Sequence, residues 1–206
     1  NEQDSRHHAI ASKVPMLEPS DSAECKDFAM KAYEMSEYFD TPVIVRLSTR
    51  VSHSQSIIDV FERREVPTKE YVKNPQKYVT LPAHSRALHT KVEERTGKLV
   101  EYAETSSLNR TEINPDTKIG VITSGISYQY AKEALGDTVS YLKLGIVNPL
   151  PEKLIRDFAE KFETVYVIEE LDGIIESHCK NLGVNVKGKE IFGYEGELSQ
   201  AIIAEK

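Results

Sequence analysis

Tryptophan is absent from the 206 residues, cysteine occurs only twice, and no apolar run approaches the roughly 20 residues that a membrane-spanning helix requires. Cys25 and Cys179 stand far apart in sequence. An iron–sulfur cluster takes about four closely spaced thiolates, so this pair cannot ligate one alone. The two read instead as inert thiols of a reducing cytosol. Basic residues are also in deficit, 26 Lys and Arg against 33 Asp and Glu, and the net charge of −7 disfavours a nucleic-acid surface. Both the Gly-rich dinucleotide fingerprint and the phosphate-loop lysine motif are missing. A lone Ser124-Gly125 reads as a tight turn between strand and helix, although a glycine there would also let a helix N-terminus approach a phosphate or carboxylate. His7, His8 and His53 do not add up to a metal motif, because adjacent residues on an extended chain point in opposite directions.

An initiator methionine is lacking too. The chain opens on Asn1-Glu2-Gln3-Asp4-Ser5-Arg6, a polar loop that feeds the short apolar strand around Val14–Leu17. In α/β folds such loops carry the chemistry while the strand fixes them in place. The expectation is therefore a chain cut inside a functional loop, able to identify an enzyme but not to run it.

Two α/β pieces are expected. In the first, apolar residues from Cys25 to Phe39 recur at helical spacing, with Ser20 or Asp21 as the cap and Glu24 completing a capping box. Pro42 then opens the β-branched strand Val43–Leu47. Strand, helix and strand make a βαβ unit, part of an incomplete sheet whose open edge another copy of the chain could cover. Between Val51 and Pro82 the periodicity fails, and Pro67, Pro75 and Pro82 punctuate charged stretches. This reads as a long arm with one short helical turn, joining two domains. A helix is predicted from Ala83 to Leu108. Strands follow at Lys118–Thr123, Val139–Lys143 and Thr164–Ile168, with helices at Ser127–Leu135, after Pro151 at a first turn, and at Ile174–Leu182. Val184–Val186 is a candidate edge strand. The alternation predicts an open α/β sheet with helices on both faces, and periodicity alone does not distinguish its variants.

Arg50 and His53 follow a buried strand, at the end where parallel strands release their chain into a crevice. They are expected at an interface between domains or subunits. Glu169 and Glu170 close another strand; neighbours face opposite sides, so only one can enter a crevice, and a structural contact or inter-domain ion pair is expected.

Several stretches, taken in order, resemble one family: Asn1–Arg6, Pro15–Asp21, Thr49–His53, Gly120–Gly125, Leu142–Gly145, Asn148–Pro151 and Glu169–Leu171. They are similar to the large (alpha) subunit of indolepyruvate ferredoxin oxidoreductases, a thiamine-diphosphate-dependent group of 2-oxoacid:ferredoxin oxidoreductases. Ile191–Glu195 departs from that pattern. The resemblance implies that residues 1–51 end a pyrimidine-binding domain, 52–82 form a connecting arm and 83–206 form a transketolase C-terminal-like domain. It also implies a cytoplasmic parent enzyme that decarboxylates aryl 2-oxoacids oxidatively, passing electrons to ferredoxin and the acyl group to coenzyme A. Thiamine diphosphate with magnesium supplies the electron sink and 4Fe-4S clusters carry the electrons. The resemblance places the carboxylate that activates the cofactor upstream of Asn1, the diphosphate and magnesium site in a domain downstream of Lys206 and the clusters elsewhere. This leaves the chain inactive and cofactor-free by itself, with the rest of the subunit and a smaller beta subunit as its partners. On the same resemblance the Asn1–Arg6 loop lies near the thiamine site. Arg6 becomes the candidate for a bidentate grip on the substrate carboxylate, and Gln3 and Asn1 for hydrogen bonds to its carbonyl or the cofactor. Two other readings remain open: a non-catalytic subunit-docking module, and the equivalent piece of a different 2-oxoacid oxidoreductase or a transketolase-like enzyme.

Overall fold

The structure, a computed structural model, describes residues 3–63 and 65–206. Helix α1 (Arg6–Ser12) leads into the two-residue strand β1 (Met16–Leu17), helix α2 (Ser22–Phe39) and strand β2 (Ile44–Val45). Asp21 caps α2 by accepting from the Glu24 amide at 2.9 Å. The reciprocal half of the box is displaced by one residue, since the Glu24 carboxylate accepts from the amide and hydroxyl of Ser20 at 2.8 and 2.9 Å. Helix α3 (Thr49–His53) starts the arm, α4 (Pro75–Tyr78) is its short helical turn, and α5 (Pro82–Thr105) ends it.

The second half runs β3 (Arg110–Glu112), β4 (Ile119–Ser124), α6 (Gly125–Leu135), β5 (Ser140–Leu144), β6 (Ile146–Asn148), α7 (Glu152–Ala159) and β7 (Thr164–Ile168). Helices α8 (Ile174–Asn181), α9 (Lys189–Phe192) and α10 (Gln200–Glu205) complete it. Its sheet has the order β3-β5-β4-β7, parallel except for β3. Alternation on the pleat divides the core: Ile122, Leu142 and Val167 meet Ile155, Phe158 and Ile175 of α7 and α8, while Val121, Tyr141 and Ile168 meet Tyr128, Ala131 and Ile203 of α6 and α10. This is the mixed α/β class expected, with both faces of the main sheet covered.

Four expectations need correction. The residues after Ser5 form a helix, not a loop, and Arg6 opens it. The two pieces do not keep separate sheets: β6 of the second half pairs antiparallel with β1, which pairs parallel with β2. They also share a core in which Leu17, Phe28 and Phe39 meet Leu99, Ala103 and Ile146. The cause lies in length, for two-residue strands cannot bury a face without borrowing a third strand. Gly145 makes the crossing possible, because a Cβ there would lie 2.2 Å from the Leu108 carbonyl oxygen. Third, within Val43–Leu47 only Ile44 and Val45 form the strand, and Val43–Arg46 are half-buried and Leu47 exposed rather than buried. Fourth, Val184–Val186 is no strand; only an isolated bridge joins Lys187 to Tyr166. Pro151 is displaced by one residue and stands at the cap of α7. Having no side-chain acceptor, it leaves the next N–H groups to Glu104 of α5, which accepts from Lys153 and Leu154 at 2.8 and 2.7 Å.

Candidate functional site

The strands β2 and β7 end beside one another, and between their ends lies a crevice of about 670 Å³. Gln3, Ser5, Arg46, Ser48, Arg50, Glu170 and Glu197 line it. Each is placed by a local device. Arg46 continues the β pairing through its amide, which donates to Leu17 O at 2.8 Å, and its guanidinium pairs with Glu18. Ser48 caps α3 by accepting from the Val51 amide at 3.3 Å. Arg50 forks onto Glu197, its Nη2 donating to Oε2 at 2.7 Å. Glu170 accepts from the Leu198 amide at 3.0 Å, and burial, outweighing that bond, raises its carboxyl above the usual range.

The floor of the crevice is the turn after β7, held by Arg6. This arginine is 1% exposed and all three guanidinium nitrogens donate to acceptors of the protein itself. Nε donates to Asp4 Oδ1 at 3.0 Å and Nη2 to Oδ2 at 2.6 Å, while Nη1 meets Glu169 Oε2 at 2.6 Å. Nη2 also donates to the carbonyls of Glu170 and Asp172, each at 2.9 Å. Those two carbonyls flank Leu171, whose φ of 58° is a left-handed conformation costly for a branched side chain. Lys189 Nζ adds a bond of 2.6 Å to Glu169 O. Two buried cations thus fix a strained turn from beneath.

Charge balance here is closed. Burial would raise the Asp4 carboxyl, but hydrogen bonds and charge from Arg6 hold it below the usual range. Glu169 goes the other way: burial outweighs Arg6 and the amides of Ile175 and Glu176, and its carboxyl is raised. The guanidinium itself is pushed up despite burial, by Asp4, Glu18 and Glu169, and stays charged.

A second polar seam joins the halves beside the first. Glu18 is 6% exposed; its Oε2 accepts from Ser124 Oγ at 2.8 Å, over the start of α6. Gly125 there has φ of 52°, and a Cβ would fall 2.9 Å from Glu18 Oε1. The carboxylate that a glycine at this helix start could admit is the protein's own. Lys143, 1% exposed, reaches Glu24 at 2.5 Å, and Gln129 Nε2 reaches Asp21 Oδ2 at 2.9 Å.

The residues singled out in the sequence therefore separate. Asn1 and Glu2 lie outside the described residues. Gln3 and Ser5 face the crevice, whereas Asp4 and Arg6 lie beneath it. The expectation of an exposed Arg6 free to grip a substrate is corrected, since acceptors of the protein itself occupy its fork. Arg50 and Glu169 each form an ion pair between the two halves. Glu170 lines the crevice, and His53 ends α3, exposed. Arg46 was missed. Its signal was a cation closing the β-branched run Val43-Ile44-Val45, just where a strand delivers its chain to a crevice.

His7 pairs with Asp172 at 2.7 Å at the rim of another crevice of about 640 Å³, which Asn148, Glu176, His178 and Tyr194 also line. Burial, then Glu169, pushes the Cys179 thiol up to about 12; burial, then Asp21 and Glu24, raises that of Cys25. Neither is an activated nucleophile. Among the described residues no group of three or more His, Cys, Asp or Glu could hold a metal ion, and no helix is long and apolar enough to cross a membrane.

No protein-family model matches the chain. Curated proteins do. It is 37% identical over 222 residues to the indolepyruvate oxidoreductase subunit IorA of Methanothermobacter marburgensis, covering 99% of this chain and 36% of that protein. The IorA subunit of Pyrococcus horikoshii is 37% identical over 207 residues, covering 93% of this chain and 32% of its own length. Over nearly its whole length this chain is a homologue of the IorA subunits. It spans about a third of the length of these relatives. The fold is shared with a solved 2-oxoglutarate:ferredoxin oxidoreductase from Magnetococcus marinus, at a TM-score of 0.64 and 13% identity, over 93% of this chain and 41% of that one. In the second half the sheet, parallel except for β3, carries helices on both faces.

Proposed function

We propose that this chain is part of the large subunit of a thiamine-diphosphate-dependent 2-oxoacid:ferredoxin oxidoreductase whose substrate is indolepyruvate. One observation carries the reading: identity of 35–37% to proteins named IorA across nearly the entire chain. On this reading residues 1–51 close the pyrimidine-binding domain, 52–82 are the connecting arm and 83–206 are the transketolase C-terminal-like domain. The parent works in the cytoplasm, with a smaller beta subunit, ferredoxin and coenzyme A as partners.

The crevice between β2 and β7 is the part of the site contributed here. Gln3, Ser5 and Arg46 offer donors to a carboxylate or carbonyl, and Arg46 takes the place first given to Arg6. Asp4, Arg6 and Lys189 shape the crevice by locking the turn after β7. The residues present do not fit the cofactors of the family. Two thiols with raised pKa values cannot hold a 4Fe-4S cluster. Magnesium takes oxygen ligands with near-octahedral demands, and the described carboxylates form no set to meet them. The groups that hold thiamine diphosphate, magnesium and the clusters belong to the rest of the enzyme, and the isolated chain is inactive.

Titration calorimetry with magnesium and thiamine diphosphate tests this directly. The isolated chain should show no heat of binding and the complete enzyme should bind. Micromolar binding to the isolated chain would contradict the assignment.

A further inference from the structure

Among the carboxylates gathered where the two halves meet, Glu170 stands apart. Asp4 and Glu169 pair with Arg6, Glu18 with Arg46, Glu24 with Lys143 and Glu197 with Arg50. Glu170 pairs with no cation among the described residues. Its Oε1 accepts from the Leu198 amide at 3.0 Å, and its Oε2 receives no donor from them. The side chain is nonetheless half-buried and walls the crevice between β2 and β7. Burial, with the charges of Glu197 and Glu18 added, raises its carboxyl above the usual range against the Leu198 bond. A polar oxygen taken from water without a partner costs stability, and a carboxyl so perturbed in a cleft marks a place for a ligand.

We propose that Glu170 sets the substrate preference of this site by accepting, at Oε2, the ring N–H of an indole-bearing 2-oxoacid; the inference rests on the functional reading given above. The crevice supplies what both ends of such a molecule need. Arg46, Gln3 and Ser5 bring donors for the carboxylate and keto oxygens, and Glu170 brings the acceptor for the N–H. Leu47 and Leu171 give the ring apolar contact, and Gly196 adds no side chain to that wall. The volume of about 670 Å³ falls within the ~300–1,000 Å³ of small-molecule sites.

The acceptor is set in place before a ligand arrives. Arg6 holds the Glu170 carbonyl at 2.9 Å, and the Leu198 amide holds its carboxylate. Little ordering is left to be done on binding. The same group works against other 2-oxoacids. A ring without N–H leaves Oε2 unpaired, and a second carboxylate on the substrate would meet a like charge.

The test is ferredoxin reduction by the complete enzyme that carries this chain, with indolepyruvate and with its benzothiophene isostere, in which sulfur replaces the N–H. The native enzyme should favour indolepyruvate by about 10–100-fold in kcat/KM, the range for one hydrogen bond to a charged group. Glu170→Gln keeps an oxygen for the Leu198 amide but turns an NH2 toward the ring, and should bring the ratio to within about threefold of unity. Glu170→Met, whose thioether is only a weak acceptor, should do the same. A structural role for Glu170 would lower both values together and leave their ratio standing. That result, or a native enzyme indifferent between the two substrates, overturns the proposal while turnover of indolepyruvate upholds the functional reading. No reduction with either 2-oxoacid refutes the reading and the proposal together.

Discussion

Replacing Arg6 by alanine removes a cation that is 1% exposed and deprives the buried carboxylates of Asp4 and Glu169 of the guanidinium that pairs with both. The guanidinium satisfies five acceptor atoms: both oxygens of Asp4, one of Glu169 and the carbonyls of Glu170 and Asp172. Breaking a buried pair by removing one partner typically costs ~3–5 kcal/mol. For a chain of about this size each kcal/mol corresponds to roughly 2–4 °C, so the melting temperature should fall by roughly 6–20 °C. Arg6→Lys keeps the charge, but three tetrahedral donors cannot reproduce a planar fork over five acceptors, and it should recover less than half of the loss. The Leu171 turn should open as well, and exchange of amides around residues 170–173 should accelerate in both variants. Urea denaturation monitored by circular dichroism measures the stability. A loss under ~0.5 kcal/mol for Arg6→Ala, the range of ordinary surface changes, would refute the buried clamp and return Arg6 to a ligand-facing role.

Gly125→Ala places a Cβ 2.9 Å from the Glu18 carboxylate at a φ of 52°, and should cost ~1–2 kcal/mol by backbone conformation alone, read from the same denaturation curves. Burial opposes ionisation of Glu24, but Lys143 and Ser20 hold its carboxyl below the usual range. Its stabilisation is therefore complete above the unfolded carboxyl pKa of ~4.3 and is lost as pH falls through the lower folded value. Glu24→Gln should accordingly flatten the acid limb of the stability–pH profile. Glu170 has the opposite sign: its folded pKa is raised by burial, so its contribution is full below ~4.3 and is lost as pH rises through the folded value. Glu170→Gln, which keeps an acceptor for the Leu198 amide, should gain stability at pH 7 relative to the native chain, with the advantage vanishing below pH ~4.

What the sequence revealed followed from how local each signal was. The Asp21…Glu24 cap, helix α2 and the strands Ile119–Ser124 and Thr164–Ile168 are set by neighbours within a few residues, and the expected boundaries agree with the structure to within a residue or two. Helix α1 escaped because His7, His8 and Ser12 leave no apolar stripe; only Ala9 and Arg6 are buried. Strand β6 escaped because three residues carry no period, and its role appears only through pairing with β1. The buried Arg6 was the hardest to read. Its partners beyond Asp4 lie more than 160 residues away, and an arginine in a polar loop has the same appearance whether it meets a ligand or the end of a distant strand. The crevice could be located from strand polarity, whereas the division of labour among its residues could not.

The most direct test of the functional reading is the ratio of kcat/KM for indolepyruvate to that for 2-oxoglutarate, measured as ferredoxin reduction by the complete enzyme that carries this chain. The reading predicts coenzyme A-dependent reduction with indolepyruvate favoured at least tenfold, about 1.4 kcal/mol of discrimination in the transition state. Preference for 2-oxoglutarate, or no 2-oxoacid-dependent reduction at all, would contradict it.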